Sequence, residues 1–267
     1  MRWKQDVRAM APIRLRYRSG MNRAPEPSAA TVHRLDRLDA LRGVAMLWMT
    51  VFHAVFDLNH FGLIGRQNFY IDPFWTVQRL CIVSLFLLCA GCAQAVAHTQ
   101  DVTWPRFWRR WSRVAGCAAL VSLSSWWMFP NSWISFGVLH ALALMVLMAR
   151  GLAGRPAWLL WALALLCLAL PQLWSHAWFD SRWTNWIGLV THKPRTEDYV
   201  PLLPWFGVLC IGLAGGRWLL AQRPGWLRGD LPAVLRPVAV LGRWSLSYYM
   251  LHQPVLIGLC MAWLMWR

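Results

Sequence analysis

Seven apolar runs, at about 42–62, 77–97, 113–129, 134–150, 157–174, 201–221 and 238–265, alternate with short basic or Pro- and Gly-rich breaks. A membrane-crossing helix needs roughly 20 such residues, and most of the runs approach that length. Hydrophobic residues make up 58% of the chain and charged ones 14%. The pattern predicts an all-α fold, a polytopic integral membrane bundle of about seven transmembrane helices.

The breaks carry charge unevenly. Arg34, Arg37 and Arg42 flank the first run, and Arg106, Arg109, Arg110 and Arg113 lie between the second and third. Arg150 and Arg155 follow the fourth, and Arg217, Arg223, Arg228, Arg236 and Arg243 lie near the sixth-to-seventh break. Breaks of the opposite parity are poorer in charge or mixed, as at Asp180, Arg182, Lys193, Arg195, Glu197 and Asp198. Lys and Arg collect on cytoplasmic loops, so the amino terminus is expected in the cytoplasm and the carboxyl terminus in the periplasm. Topology and anionic lipid also account for the formal charge of +16. No zinc-finger, RNP-like or continuous basic-helix pattern accompanies it, and no nucleic-acid partner is expected.

Residues 1–33 interleave Arg2, Lys4, Arg8, Arg14, Arg16, Arg18 and Arg23 with Pro12, Pro25 and Pro27. Without an apolar core they read as a disordered basic cytoplasmic tail, with Met21 as an alternative start, ahead of a membrane domain over 34–267. Many of the 21 Trp residues, such as Trp104, Trp108, Trp126, Trp127, Trp133, Trp174, Trp178 and Trp183, fall near run ends, where indoles anchor at the interface. One or two in the 174–186 break also suit stacking on a sugar. The seven Cys residues lie within apolar runs, where they act as small hydrophobes. Cys89 and Cys92 form a CxxC with no second ligand pair, so no metal site is expected.

His53 lies eleven residues beyond Arg42, roughly 16 Å along a helix. Asp57 is four residues on and His60 three further, along one face. Ionisable groups at bilayer depth are costly and mark a bundle interior or a water-filled path. A carboxylate beside an imidazole orients it and raises its basicity, as a general base acting on a hydroxyl or amine requires. The alternative is that His53 and Asp57 hydrogen-bond neighbouring helices. His140, in FGVLHALAL, and His252, in SLSYYMLHQP, sit in other predicted helices and can converge with His53 in one core. Asp198, before Pro201 and Pro204 in DYVPLLPWFG, either binds an acceptor or caps the following helix. Trp205 in the same stretch is a further candidate acceptor contact.

Taken in order, RLDRLDALRGVAMLWMTVFH, FGVLHALAL, DYVPLLPWFGVLCIGLAGG and LGRWSLSYYMLHQPVL resemble the bacterial branch of the heparan-alpha-glucosaminide N-acetyltransferase catalytic-domain family, within the wider membrane acyltransferase group. The resemblance covers about residues 34–260. It implies a multi-pass enzyme of the bacterial inner membrane that moves an acyl group, usually acetyl, from cytoplasmic acyl-CoA to a glycan on the other side. Asp39, Arg42 and Gly43 match the family's D-x-x-R-G, which the resemblance places beside the CoA entrance. His53 falls where lysosomal members carry Asn, while the histidine credited with catalysis there lies in the following loop. His60 is the nearest histidine to that position, so His53 and His60 both stand as candidate bases.

Beside the lysosomal enzymes this reads as a compact version without their additional spans, so the acceptor need not be heparan sulfate, and an envelope sugar is the expected one. Arg37, Arg109 and Arg110 join Arg42 as candidates to pair with CoA phosphates. The expected partners are thus membrane lipid, acyl-CoA and a glycan acceptor, with a homodimer left open. The rival reading is a proton-coupled transporter or flippase using the buried His and Asp residues. The odd span count and the lack of an internal repeat weigh against it.

Overall fold

The computed structural model describes residues 35–266, and the expected tail over 1–33 lies outside them. Among the described residues there are nine α-helices, three short 3-10 turns and no strand. They are α1 (Asp36–His60), α2 (Pro73–Thr99), α3 (Trp104–Met128), α4 (Val138–Leu152), α5 (Ala157–Leu173), α6 (Leu202–Gln222), α7 (Pro224–Arg228), α8 (Arg236–Arg243) and α9 (Ser245–Trp266). By length and composition α1, α2, α6 and α9 are able to cross a membrane, and α4 and α5 are apolar but shorter. α3 has the length, yet it opens on the arginine-rich WPRFWRRWSR.

Local signals set several boundaries. Asp72 accepts from Phe74 N–H and is followed by Pro73, an N-cap with proline at the first helical position. Thr103 and Pro105 start α3 nine residues before the third apolar run, so the helix takes in the arginines ahead of that run. The seventh run, expected as one helix over 238–265, is two. α8 ends at Arg243, α9 begins at Ser245, and Trp244 joins them at φ −97°, ψ 18°. The break lets α8 lie against α1 while α9 carries on with Leu251, Val255 and Leu259 exposed along its length.

α6 packs between α2 and α5, and α1 packs on α2, α8 and α9. The main core gathers Leu87, Met145, Leu160, Leu209 and Leu213, all fully buried. Small residues let backbones meet, as membrane helix pairs commonly do. A Cβ at Gly212 would overlap the Leu88 carbonyl across the α2–α6 contact. At the α1–α8 contact a Cβ at Gly43 would overlap the Val238 carbonyl, and one at Gly242 the Asp39 carbonyl.

The helices run between two ends. At the basic end Arg150 donates to the Val102 carbonyl and its guanidinium lies 5.3 Å from the Trp104 ring centroid. Arg217 donates to the Arg155 carbonyl there. At the loop end residues 174–200 fold back on themselves. Asp180 accepts from Thr191 N–H at 2.8 Å and its hydroxyl at 2.6 Å, and these bonds hold its carboxyl below the usual range. Tyr199 donates its hydroxyl to the Asn185 carbonyl at 2.7 Å.

Gly242→Ala is expected to lower thermal stability in detergent by about 1–3 kcal/mol, the cost of overpacking a close contact. Gly258→Ala, where a Cβ meets nothing within 4 Å, is the matched control and leaves the melting temperature in place. Equal melting of the two variants would contradict the interlock.

Candidate active site

α1 and α9 bring two histidines together. His53 Nδ1 and His252 Nε2 are 2.9 Å apart, and the rings stack with centroids 5.1 Å apart. The other ring nitrogen of His252, Nδ1, lies 2.6 Å from the Tyr249 carbonyl. A carbonyl only accepts, so in neutral His252 the proton sits on Nδ1 and Nε2 offers a lone pair. That lone pair accepts from His53 Nδ1–H. His53 Nε2 is then left as the unprotonated nitrogen, the atom that can take a proton from a ligand.

Polar neighbours extend the pair. The Thr50 hydroxyl donates to the Met46 carbonyl at 2.8 Å, so Tyr248, 2.7 Å away, must donate to Thr50. The Tyr248 ring lies nearly parallel to His252, 6.1 Å between centroids. Asp57, expected to orient His53, instead accepts from Gln253 Nε2 at 2.9 Å and 3.1 Å through its two oxygens. Asp57 is 4% exposed, and Gln253 Oε1 is buried without a partner among the described residues.

His60 and His140 lie apart from this pair. His60 is exposed at the end of α1, stacked on Phe56 at 6.5 Å. His140 accepts from Gly137 N–H through Nδ1, so its Nε2–H faces the Ser122 hydroxyl at 3.1 Å. Both nitrogens thereby fix the α3–α4 connection. Asp198 caps α4 rather than α6: its Oδ2 accepts from Val138 N–H at 2.7 Å, where the helix start favours a carboxylate. This is why α4 starts at Val138, later than the apolar run. Trp205 packs half-buried against the main core.

Charge near Asp198 is dense. Burial raises the Asp198 carboxyl above its ordinary range, opposed by the Val138 bond, Lys193 and Arg79. Desolvation and Arg79 hold Lys193 below its usual value, against the pull of Asp198 and Glu197. Asp198 is also within electrostatic reach of Tyr249, whose carbonyl holds His252.

At the basic end Arg42 Nη1 pairs with Asp39 at 3.1 Å, and Arg243 bridges Asp36 at 2.7 Å and Asp39 at 3.7 Å. Gly43 serves the α1–α8 contact directly beside these charges. Arg37 donates to the Trp226 and Asp230 carbonyls at 2.9 Å and 3.1 Å and lines a surface groove with Trp218, Arg223 and Trp226. Arg109 and Arg110 are exposed on α3, whose main packing is against α4. Among the described residues no group of three His, Cys, Asp or Glu side chains is arranged to hold a metal ion.

Sequence pattern does not single out Gln253, Tyr248 or Arg243 for the candidate site, although all three lie in LGRWSLSYYMLHQPVL. A glutamine inside an apolar run was the available signal.

No curated protein and no solved structure matches the chain. Residues 34–254 match the family described as heparan-alpha-glucosaminide N-acetyltransferase, catalytic. That stretch takes in every helix from α1 to α8 and the part of α9 carrying His252 and Gln253, and the chain therefore belongs to the heparan-alpha-glucosaminide N-acetyltransferase catalytic family.

Proposed function

We propose that this protein is a multi-pass acyltransferase of the bacterial inner membrane that moves an acyl group, acetyl in the first instance, from cytoplasmic acyl-CoA to a hydroxyl or amine of an envelope glycan on the periplasmic side. In this reading seven helices cross the bilayer, α1 to α6 and α9. The basic end faces the cytoplasm and the loop end the periplasm, consistent with the collection of arginines at one end. The observation that carries the reading is the His53–His252 hydrogen bond, with the Tyr249 carbonyl fixing its direction.

The basic end offers arginines, Arg42, Arg109 and Arg110 among them, for charge-assisted bonds to the donor's phosphates. Arg37 shapes the same end by tying down the residues around Trp226 and Asp230. His53 Nε2 takes the proton of the acceptor hydroxyl or amine as that atom bonds to the thioester carbonyl carbon. His252 keeps accepting from His53 Nδ1–H, so the imidazolium that forms stays hydrogen-bonded. As the carbon–sulfur bond breaks, His53 returns the proton to the departing thiolate. The same Nε2 lone pair also serves a two-step acyl-histidine route, which burst kinetics would separate from direct transfer.

Labelled acetyl-CoA supplied to the cytoplasmic side of inside-out vesicles is expected to yield free CoA and labelled glycan, whereas a transporter moves solute without consuming thioester. His53→Ala should lower kcat by about 10²–10⁴-fold, the range of general base catalysis, with membrane insertion intact. Full activity in this variant would remove His53 as the base.

His252→Ala is expected to cause a smaller loss, with partial recovery in His252→Gln, whose side-chain oxygen can accept from His53 Nδ1–H. Equal activity of the Ala and Gln variants would contradict a positioning role for His252.

A further inference from the structure

A second hydrogen-bonded pair joins α1 and α9 one turn nearer the basic end than the histidines. Thr50 precedes His53 by three residues on one face of α1, and Tyr248 precedes His252 by four on one face of α9. The Tyr248 hydroxyl lies 2.7 Å from Thr50 Oγ1. Thr50 has committed its own proton to the Met46 carbonyl at 2.8 Å, so the proton between the two hydroxyls is that of Tyr248. Three rings run in a column, with His53 and His252 at 5.1 Å and Tyr248 and His252 at 6.1 Å, the latter two planes only 12° apart.

Thr50 lies eight residues beyond Arg42 and three before His53, about 12 Å and about 4.5 Å along the helix. Asp57 and Gln253 form the next pair on the other side of the histidines. A thioester that reaches His53 from the basic end therefore arrives on the side of Tyr248. Tyr248 packs against the buried Met46 and Met49, and in such apolar surroundings a hydrogen bond to a developing charge counts for more than in water.

We propose that Tyr248 is a further catalytic residue, whose hydroxyl donates a hydrogen bond to the carbonyl oxygen of the thioester during transfer. The role rests on the acyltransferase reading. Rotation about the phenolic C–O bond swings the proton from Thr50 to the thioester, and Thr50 keeps its own bond to Met46, so the exchange leaves no donor unpaired. The acceptor oxygen or nitrogen bonds to the carbonyl carbon and gives its proton to His53 Nε2. The carbon–oxygen π pair moves onto oxygen, where the Tyr248 O–H meets the charge. That pair then re-forms the carbonyl, the carbon–sulfur bond breaks, and the thiolate takes the proton from His53. Tyr248 holds its own proton throughout.

Tyr248→Phe and Thr50→Val both remove the bond between the two hydroxyls, but only the first removes the donor. Infrared difference spectra of carbonyl-¹³C-labelled acetyl-CoA bound to the full-length protein in detergent read the hydrogen bond without turnover. Wild type and Thr50→Val are expected to lower the carbonyl stretch relative to free acetyl-CoA, and Tyr248→Phe to return it toward the free value. In inside-out vesicles Tyr248→Phe should slow transfer at saturating acetyl-CoA by about 10²–10³-fold, the cost of one oxyanion donor, with the KM for acetyl-CoA in place. An unshifted stretch in the wild type, an equal shift in wild type and Tyr248→Phe, or the same loss of shift in both variants overturns the role of Tyr248 and leaves the acyltransferase reading standing. Failure of acetyl-CoA to bind the wild type overturns both.

Discussion

The close approach of α1 and α8 at Gly43 and Gly242 is the contact on which the site depends. It is locked on its polar side by Arg243, which reaches Asp36 and Asp39, while Arg42 pairs with Asp39. α8 leads into α9 through Trp244, so fixing α8 on α1 also fixes where α9 runs. Along α9, His252 then meets His53, Gln253 meets Asp57 and Tyr248 meets Thr50. In the D-x-x-R-G stretch the glycine thus has a packing reason that stands apart from any ligand.

The direction of the histidine hydrogen bond follows from one backbone carbonyl. Tyr249 lies three residues before His252, and its oxygen is shared with the ring as a local side-chain-to-backbone bond. For neutral rings this sets which nitrogen of His252 accepts, and through it which nitrogen of His53 is left unprotonated. Catalytic histidines are often oriented by a carboxylate. In the proposed mechanism a second imidazole, that of His252, takes that place for His53, and the carboxylate of Asp57 bonds Gln253 instead.

Much of the helical layout was legible from hydropathy. The runs at about 77–97, 157–174 and 201–221 correspond closely to α2, α5 and α6, because length and apolarity alone define such segments. The split of the last run was not legible, since Trp244 breaks the helix to serve a contact with α1 that is remote in sequence. His53 and His252 were both visible as costly polar groups at depth, but their direct pairing depends on helix rotation, which no local pattern records. The same limit explains Asp57, whose four-residue spacing from His53 put the two on one face without making them partners. His140 shows the converse: its depth suggested the core site, yet it serves a helix start.

Everything in the proposed mechanism turns on neutral His252 being protonated on Nδ1 and accepting through Nε2 from His53 Nδ1–H. Solid-state NMR of the ¹⁵N-histidine-labelled protein in lipid bilayers tests it directly, with His53→Asn and His252→Asn samples assigning the resonances. Nδ1-protonated rings are expected for both residues, with a through-hydrogen-bond correlation between His53 Nδ1 and His252 Nε2. An Nε2-protonated His252, or two rings with no such correlation, would contradict it.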